Sequence, residues 1–411
     1  MIRIISEEEA PTVLGRSVDR VGEAMGISAP IVADVRLRGD EALKEYRQRF
    51  DLVARDEPLY LDAGGELEAD LQQAVEQASR NIQSFAEAQL VASWMSEFSD
   101  GRSLGQLVRP LNSVGVYVPA GRYPLISTLL MAVIPAQVAG VPNIVVACPH
   151  PSREILAVAK MLGVKQILHA GGAQAIAAMA YGTESVKPVQ RIVGPGNAYV
   201  AAAKKLVSQD VAIDFVAGPS EILIVASQGN AQWIAADMLA QAEHDVDARA
   251  ILLTTDKEFA LRVQAEIEIQ LSSLSTVQIA QRAIIDNSAI VVCDTTDSAF
   301  NLVNTIAPEH LSVEQKSDIE RVNSAGSIFV GQYSTEAAGD YASGPNHILP
   351  TSGNAAVRGG LSVNDFVKVI TVQELSKTAL RELEPAVTAL ARAEGLEAHA
   401  RSVETRNDAT A

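Results

Sequence analysis

Four of the six histidines of this 411-residue chain stand in short polar motifs in its second half. The motifs are Gln241-Ala-Glu-His244, Ala307-Pro-Glu-His310, Gly339-Asp340-Tyr-Ala-Ser-Gly-Pro-Asn-His347 and Glu394-Gly-Leu-Glu-Ala-His399. A histidine beside a carboxylate or an amide supplies ligands for a divalent metal, or a general base with the group that orients it. The placement therefore predicts an enzyme site, and these residue types favour zinc as its metal.

The first motif supplies two candidate metal ligands from one rigid element. Gln241 and His244 are three residues apart at the end of a predicted helix, so their side chains share one face. The alternative is an exposed helix end without a metal.

The second motif pairs a carboxylate with an imidazole. Glu309 and His310 follow Pro308 at a predicted helix break, and adjacent helical residues point in different directions. Two separate tasks, water activation and proton abstraction from an alcohol, suit such a pair if burial brings both pKa values towards neutrality. A solvated helix end is the alternative.

The third motif opens a stretch from residue 332 to 360 that is rich in Gly, Pro, Ser and Asn and is predicted to be a loop. Asp340 at its head could complete a metal site or bind a substrate ammonium group, and it could equally be a turn residue. His347 is open to the same two interpretations.

Composition narrows the class of protein. The chain is 48% hydrophobic and 20% charged, which is typical of a globular protein, and its net charge is −17. Nucleic acid is not an expected partner, because phosphate binding needs clustered Lys and Arg. The chain has only two cysteines, and its N-terminus shows no signal-peptide features, which together predict a cytoplasmic protein. No apolar run reaches about 20 residues, so no membrane span is predicted.

The pattern of the chain changes near residue 112. Residues 30–100 are predicted to be helical, with Pro30 in a first turn and a long helix from Glu66 to Phe98. Thereafter β-branched runs alternate with Ala-rich helical segments, which predicts an α/β fold with doubly wound parallel sheets. The predicted strands are Val114–Val118, Ile144–Ala147, Gln166–His169, Arg191–Val193, Ile222–Ala226, Ala250–Thr254, Ser288–Cys293 and Ser327–Val330.

Two glycine turns lie between a predicted strand and a predicted helix, at Gly171-Gly172 and at Gly194-Pro-Gly-Asn197. Backbone N–H groups at such a helix start favour an anion. The dinucleotide fingerprint is incomplete, however, because Tyr199 stands where its third glycine belongs. No cysteine lies in a glycine-rich catalytic context, and no G-x-S-x-G elbow for hydrolysis is present.

In their order along the chain, from about Val32 to Arg406, these motifs resemble the histidinol dehydrogenase family of histidine biosynthesis. The matching stretches are Val114-Gly-Val-Tyr-Val-Pro119, Ser127-Thr128, Gly171-Gly-Ala-Gln-Ala-Ile-Ala177, Gly194-Pro-Gly-Asn197, Ala217-Gly-Pro-Ser-Glu221, Leu349-Pro-Thr351 and the four histidine motifs. The resemblance implies an NAD-dependent enzyme with one zinc ion per subunit, a homodimer with shared active sites that oxidises L-histidinol to L-histidine through the aldehyde.

The resemblance also implies roles for individual residues. The zinc ligands would be Gln241, His244, Asp340 and His399, and the catalytic acid/base residues would be Glu309 and His310. Contacts to NAD would come from Tyr117, Gln174 and Asn197. The substrate would be surrounded by His310, the zinc ligands, Ser220, His347 and Glu394. The last helix would bring Glu394 and His399 to the partner subunit's site.

With the resemblance, the fold is expected to comprise two Rossmann-like units with helical N- and C-terminal extensions. The expected domains are an N-terminal extension (1–20), a large α/β domain with the zinc and substrate residues (21–113 and 222–361), an NAD-binding domain (114–221) and a C-terminal helical segment (362–411).

One segment departs from the family pattern. Pro119-Ala-Gly-Arg122-Tyr123-Pro-Leu125 stands where the family usually reads Pro-Gly-Gly-Thr-Ala-Pro. A version with Arg-Tyr-Pro is similar to paralogous dehydrogenases that oxidise other small polyols, including sulfopropanediols, so that substrate is the alternative. A zinc hydrolase and a non-catalytic binding protein are further alternatives.

Overall fold

The computed structural model describes residues 1–15, 20–119 and 125–408, which form two compact units. Unit 1 comprises Met1–Gln89 and Leu111–Phe366, and unit 2 comprises Leu90–Pro110 and the chain from Val367 onward. No helix among the described residues is long and apolar enough to cross a membrane. The division into four domains stays a prediction.

The strands are mostly short and apolar. In chain order they are β1 (Arg3–Ser6), β2 (Tyr60–Asp62), β3 (Trp94–Glu97), β4 (Arg102–Pro110), β5 (Ser113–Tyr117), β6 (Asn143–Ala147), β7 (Gln166–Leu168), β8 (Arg191–Val193), β9 (Ala212–Ile213), β10 (Glu221–Val225), β11 (Arg249–Thr254), β12 (Ala289–Val292), β13 (His310–Val313), β14 (Ser327–Val330) and β15 (Val367–Leu375). Strands β8 and β14 have the predicted bounds, and the other six predicted strands differ by at most one residue at either end.

The α-helices connect these strands. They are α1 (Ala10–Val13), α2 (Arg20–Arg38), α3 (Asp40–Phe50), α4 (Ala69–Gln89), α5 (Ile126–Val138), α6 (Arg153–Met161), α7 (Gly172–Tyr181), α8 (Ala198–Val207), α9 (Ala231–Ala242), α10 (Lys257–Leu271), α11 (Val277–Asp286), α12 (Thr296–Ile306), α13 (Glu336–Tyr341), α14 (Lys377–Ala393) and α15 (Glu397–Asp408).

Unit 1 is built on two six-stranded sheets. The first has the strand order β1-β12-β11-β10-β13-β14, with all neighbours parallel. The second has the order β2-β7-β6-β5-β8-β9, in which only β2 is antiparallel to its neighbour. The central strands are continuously buried, as expected for parallel sheets covered on both faces. The predicted α/β class with two parallel sheets is confirmed.

In each sheet, successive strands are added on one side of the first central strand, and the chain then crosses over and adds the next two strands on the other side. This reversal lies between β5 and β8 in one sheet and between β10 and β13 in the other. Such switch points open a crevice between the loops that leave the two strands in opposite directions, and ligands of doubly wound proteins bind there. Tyr117 ends β5 at the carboxyl edge of one of these points, whereas Glu309 and His310 lie at the amino ends of β10 and β13, on the edge opposite to such a crevice.

The prediction that residues 30–100 are helical was wrong in three places, the first of which is strand β2 at Tyr60–Asp62. Helix α2 starts at Arg20, so Pro30 lies inside it and not in its first turn. Helix α4 ends at Gln89, and Trp94–Glu97 is strand β3. For β3 the physical reason is sheet pairing, because β3 forms a hairpin with the following strand β4, and this pairing overrides local helix propensity.

Unit 2 consists of an antiparallel sheet, in the order β15-β4-β3, and helices α14 and α15. Strands β4 and β15 pair along nine residues each. The two helices pack together, and Arg392 joins them through hydrogen bonds to Glu397 and Glu404. The predicted helical character of the C-terminal tail is observed in α14 and α15.

Candidate functional site

His310 is the centre of a buried cluster of carboxylates. It is the first residue of β13 and only 4% exposed, and its Nδ1 lies 3.1 Å from the backbone oxygen of Glu221. The same nitrogen lies 3.4 Å from Oε1 of Glu336 and 3.8 Å from Oε2 of Glu309. On the other side of the ring, Nε2 lies 3.7 Å from Oδ1 of Asp340. One imidazole therefore faces three acidic side chains.

The predicted helix break before Glu309 and His310 is observed, because α12 ends at Ile306, but the pair itself is not helical. His310 begins a strand, and Glu309 comes directly before it. The carboxylate of Glu309 accepts a hydrogen bond of 2.8 Å from the backbone N–H of Glu221, the first residue of the neighbouring strand β10. Pairing of β10 with β13 therefore fixes both members of the predicted acid/base pair.

Burial and charge shift the pKa values of this cluster. Burial raises the pKa of Glu309 to about 8 and that of Glu336 to about 8, although the nearby His310 opposes both shifts. Burial by itself lowers the pKa of His310, but the carboxylates of Glu336, Glu309 and Asp340 outweigh it and raise that pKa to about 10. A glutamate with a pKa near neutrality is suited to proton transfer at physiological pH.

Helix α13 carries Asp340 and also Glu336, which sequence reasoning missed. The stretch 332–360 was predicted to be a loop, but residues 336–341 form a helix capped by the side chain of Thr335. Glu336 and Asp340 are four residues apart, so both can face the same neighbour. The ligand atoms of these two residues and of His310 lie within 4.8 Å of one another, as a cation site would require. The spacing of Glu336 and Asp340 was the available signal.

The predicted zinc ligands Gln241, His244 and Asp340 belong to neighbouring elements. Helix α9, which ends at Ala242, packs against α13, and Nε2 of His244 lies 3.9 Å from Oδ2 of Asp340. Gln241 is 1% exposed, yet neither its Oε1 nor its Nε2 has a hydrogen-bond partner among the described residues. A buried amide without partners is costly. The amide oxygen of Gln241 is therefore suited to binding a metal ion.

A cavity of about 460 Å³ borders the cluster. His310, Asp340 and His347 line it together with apolar groups such as Phe329 and Tyr333. Nδ1 of His347 lies 2.7 Å from the backbone oxygen of Asp340 and must donate its proton there, which leaves Nε2 as an acceptor. Burial lowers the pKa of His347, and this favours that neutral form.

The predicted NAD contacts surround the switch point of the second sheet. Tyr117 ends β5, and its hydroxyl accepts a 3.1 Å hydrogen bond from the N–H of Gly172 at the start of α7. Gln174, 1% exposed, donates to Asp51 at 3.2 Å. Asn197 caps α8 by accepting hydrogen bonds from the N–H groups of the second and third residues of that helix. Side chains of the protein therefore already bind several of the N–H groups predicted to bind an anion.

The turn at Gly194 approaches β5 closely. Gly194 has φ +116°, and a Cβ atom there would overlap the backbone oxygen of Tyr117. The buried ion pair of Asp214 and Lys204 stabilises this turn. Asp214 accepts a hydrogen bond of 2.8 Å from the N–H of Gly194, and Lys204 donates one of 2.9 Å to the backbone oxygen of Gly194. Only glycine allows this approach at the switch point.

The remaining predicted site residues that the structure describes are Ser220, Glu394 and His399. Ser220 comes directly before β10, and its oxygen accepts from the N–H of Arg249. Glu394 and His399 belong to unit 2, at the C-terminal end of α14 and in α15, and both are exposed. Arg122 and Tyr123 lie outside the described residues.

The two cysteines are unsuited to covalent catalysis. Cys148 and Cys293 are buried and free, and Cys148 follows strand β6 while Cys293 follows strand β12. Burial raises the pKa of each thiol to about 12. The reactive thiolate is therefore scarce at neutral pH.

Comparison with known proteins gives the family of the chain. The sequence model described as "Histidinol dehydrogenase" matches residues 15–407. Proteins of that name from Geobacillus kaustophilus and Halalkalibacterium halodurans are 48% and 47% identical, each over 92% of this chain and 92% of the relative. The crystal structure of histidinol dehydrogenase from Elizabethkingia anophelis is 36% identical, with a TM-score of 0.93 and 98% of both chains covered. This chain belongs to the histidinol dehydrogenase family.

Proposed function

We propose that this protein oxidises L-histidinol to L-histidine through the aldehyde in two NAD-dependent steps, in the cytoplasm, at the end of histidine biosynthesis. Family membership supports the reaction. The observation that carries the assignment in this chain is the buried pair Glu309 and His310, which lies beside Asp340 at the amino ends of β10 and β13. An acid/base pair next to a candidate metal ligand is what two successive oxidations require.

The neutral form of His310 would take the proton from the hydroxyl group in the first oxidation. Its Nε2 is buried and has no hydrogen-bond partner among the described residues, and it borders the cavity that would hold the substrate. The carboxylates around Nδ1 stabilise the imidazolium that forms when the ring accepts this proton. NAD, when bound, accepts a hydride from the carbinol carbon in each oxidation.

Glu309 would activate the water that adds to the aldehyde before the second oxidation. Its pKa of about 8 makes it a stronger base than an ordinary carboxylate. The overall balance is one alcohol, two NAD⁺ and one water giving one carboxylate and two NADH, with the remaining protons released. Neither oxidation needs a thiol, and this agrees with the buried state of Cys148 and Cys293.

Gln241, His244, Asp340 and His399 would hold one zinc ion per subunit. An amide oxygen, two imidazoles and a carboxylate form a donor set that zinc accepts, and the unpartnered amide of Gln241 fits it. Zinc, when bound, acts as a Lewis acid that binds and polarises the substrate without changing its own redox state.

Two subunits would share the active sites. Glu394 and His399, assigned to the substrate and the metal, have exposed side chains on unit 2. Unit 2 also exposes large apolar side chains, which are rare on monomers in such density: Trp94, Met95, Phe98, Val369, Ile370 and Leu390. We therefore place Glu394 and His399 at the site of the partner in a homodimer.

The remaining assignments concern NAD and the substrate. Tyr117, Gln174 and Asn197 would contact NAD at the second switch point, and Ser220 and His347 would lie near the substrate. Membership of the histidinol dehydrogenase family favours histidinol over the sulfopropanediol alternative.

Fluorescence-detected NADH formation tests this function. The zinc-loaded protein should reduce NAD with L-histidinol and be inactive with a sulfopropanediol at the same concentration. A zinc hydrolase would give no NADH with either alcohol, and a non-catalytic relative would bind histidinol without turnover, so either result contradicts the proposal.

A further inference from the structure

Helices α3 and α7 pack together in unit 1 and are joined by one aspartate at each end of α3. Asp40, at the start of α3, accepts hydrogen bonds of 2.5 Å from the hydroxyls of Thr183 and Ser185, which follow α7. Asp51, at the end of α3, accepts from the N–H of Gly171 at 2.9 Å and from Nε2 of Gln174 at 3.2 Å. Both contacts are hydrogen bonds to an aspartate carboxylate, but only the contact made by Asp51 reaches the start of α7.

The start of α7 lies at the carboxyl end of β7, on the edge of the sheet where β5 ends and the strand order reverses between β5 and β8. Tyr117, the last residue of β5, reaches this start through its bond to Gly172. A ligand at the switch point therefore contacts a surface whose shape depends on this turn.

Asp51 is held in place by its surroundings. It is 8% exposed and is followed by Leu52, whose positive φ of 55° ends helix α3. One turn earlier, the fully buried guanidinium of Arg47 donates to the backbone oxygens of Pro58, Ala54 and Glu57 at 2.7–3.1 Å. The segment that carries Asp51 is thus fixed before any ligand binds.

Gln174 depends on this aspartate for its orientation. Its side chain is 1% exposed, and Asp51 is the only side-chain partner recorded for its Nε2 among the described residues. An amide that donates to Asp51 has its oxygen turned the other way, towards Gly172. Without the carboxylate of Asp51, this hydrogen bond would no longer select between the two orientations of the Gln174 amide that differ by a 180° flip.

We propose that Asp51 is a positioning residue of the dinucleotide site, which fixes the glycine turn 171–172 and the amide of Gln174 in the orientation that binds NAD. This inference rests on the proposed role of Gln174 in NAD binding. Asp51 itself is buried behind the turn and acts through Gln174 and Gly171. Its contribution is pre-organisation, because a disordered amide would have to be ordered when the ligand binds.

Calorimetric titration of the full-length, zinc-loaded protein with NADH, in the absence of histidinol, tests this inference. Asp51→Ala should weaken NADH binding about tenfold, since two hydrogen bonds to a carboxylate are lost. Asp40→Ala is the matched control: it removes the corresponding contact at the other end of α3 and should leave the Kd of NADH within about twofold of the parent. Both variants should lower Tm.

Two further variants separate positioning from general destabilisation. Asp51→Asn keeps one oxygen as a hydrogen-bond acceptor and should recover most of the affinity for NADH. If Asp51→Ala does not fold, Asp51→Asn is compared instead with Asp51→Leu, which has no acceptor, at reduced temperature. In a double-mutant cycle, Asp51→Ala should have much less effect on NADH binding when Gln174 is already Ala.

Three results would overturn the inference: parental NADH affinity in Asp51→Ala, an equal loss in Asp40→Ala, or additive effects in the cycle. The proposed function is tested separately. Parental NADH binding with no histidinol turnover contradicts only the function, whereas turnover together with an unchanged Kd in Asp51→Ala contradicts only the role of Asp51. A parent protein that does not bind NADH overturns both.

Discussion

Oε1 of Glu336 lies 3.4 Å from Nδ1 of His310, and both side chains are at least 95% buried. A buried carboxylate at this distance stabilises a positive imidazole because little water screens the two charges. It therefore favours the form of His310 that exists after proton abstraction.

Glu336→Gln should lower kcat about tenfold or more, with little change in the Kd of NADH. The amide keeps the shape of the side chain but removes the charge that stabilises the imidazolium. Glu314→Gln is the control, because this exposed glutamate lies beyond the opposite end of β13 and contacts the backbone N–H of Gln228. Steady-state kinetics with an unchanged kcat for Glu336→Gln would show that the carboxylate does not assist His310.

His244→Ala and His399→Ala should each lose zinc, because each removes one of four proposed ligands. Glu309→Gln should keep zinc and release about one NADH per histidinol, since only water activation is removed. Elemental analysis of the purified proteins measures the metal. Full zinc occupancy in both histidine variants would show that the ligand assignment is wrong.

Gly194→Ala should destabilise the protein by about 3 kcal/mol or more, because the methyl group meets the backbone of Tyr117 and the residue has φ +116°. Gly163→Ala is the matched control. Gly163 also has positive φ, +73°, but a Cβ there meets nothing within 4 Å, so a loss of only about 1 kcal/mol is expected. Urea denaturation measures both. Equal losses in the two variants would contradict the close approach of Gly194 to β5.

Asp237 gives a prediction about pH. Burial raises the pKa of Asp237 from 3.8 to about 6, because the charged carboxylate is disfavoured in the folded protein. The free energy of unfolding should therefore fall as pH rises from 4 to 6. Asp237→Asn should therefore stabilise the metal-free protein by about 1–2 kcal/mol at pH 8, after allowance for partial solvent exposure, and by almost nothing at pH 4. Denaturation at both values checks this, and the same effect at pH 4 and pH 8 would exclude the buried carboxylate as its cause.

Eight of the twelve strands in the two six-stranded sheets were predictable because each is a short apolar run between turns, whereas β1, β2, β9 and β13 were not predicted. The bounds of β8 and β14 were predicted without error for this reason. The antiparallel strands β3, β4 and β15 were not predicted, because β4 pairs with β15 from a distant part of the chain and because β3 and β15 are largely exposed. Local periodicity carries no record of such partners.

The histidine motifs indicated a metal or acid/base site, but not the residues that support it. Glu336 was missed because its helix of six residues lies in a stretch rich in Gly, Pro and Ser. Asp51 was missed because its partners, Gly171 and Gln174, lie far along the chain and nothing in the local sequence marks the contact. Family resemblance supplied the individual roles that spacing left open.

The ratio of NADH formed to L-histidinol consumed tests the central claim most directly. With limiting histidinol, excess NAD and zinc-loaded protein, two NADH should form for each histidinol, and histidine should be the product. One NADH per histidinol with aldehyde as the product, or no NADH at all, would contradict a site in which His310 and Glu309 serve two successive oxidations.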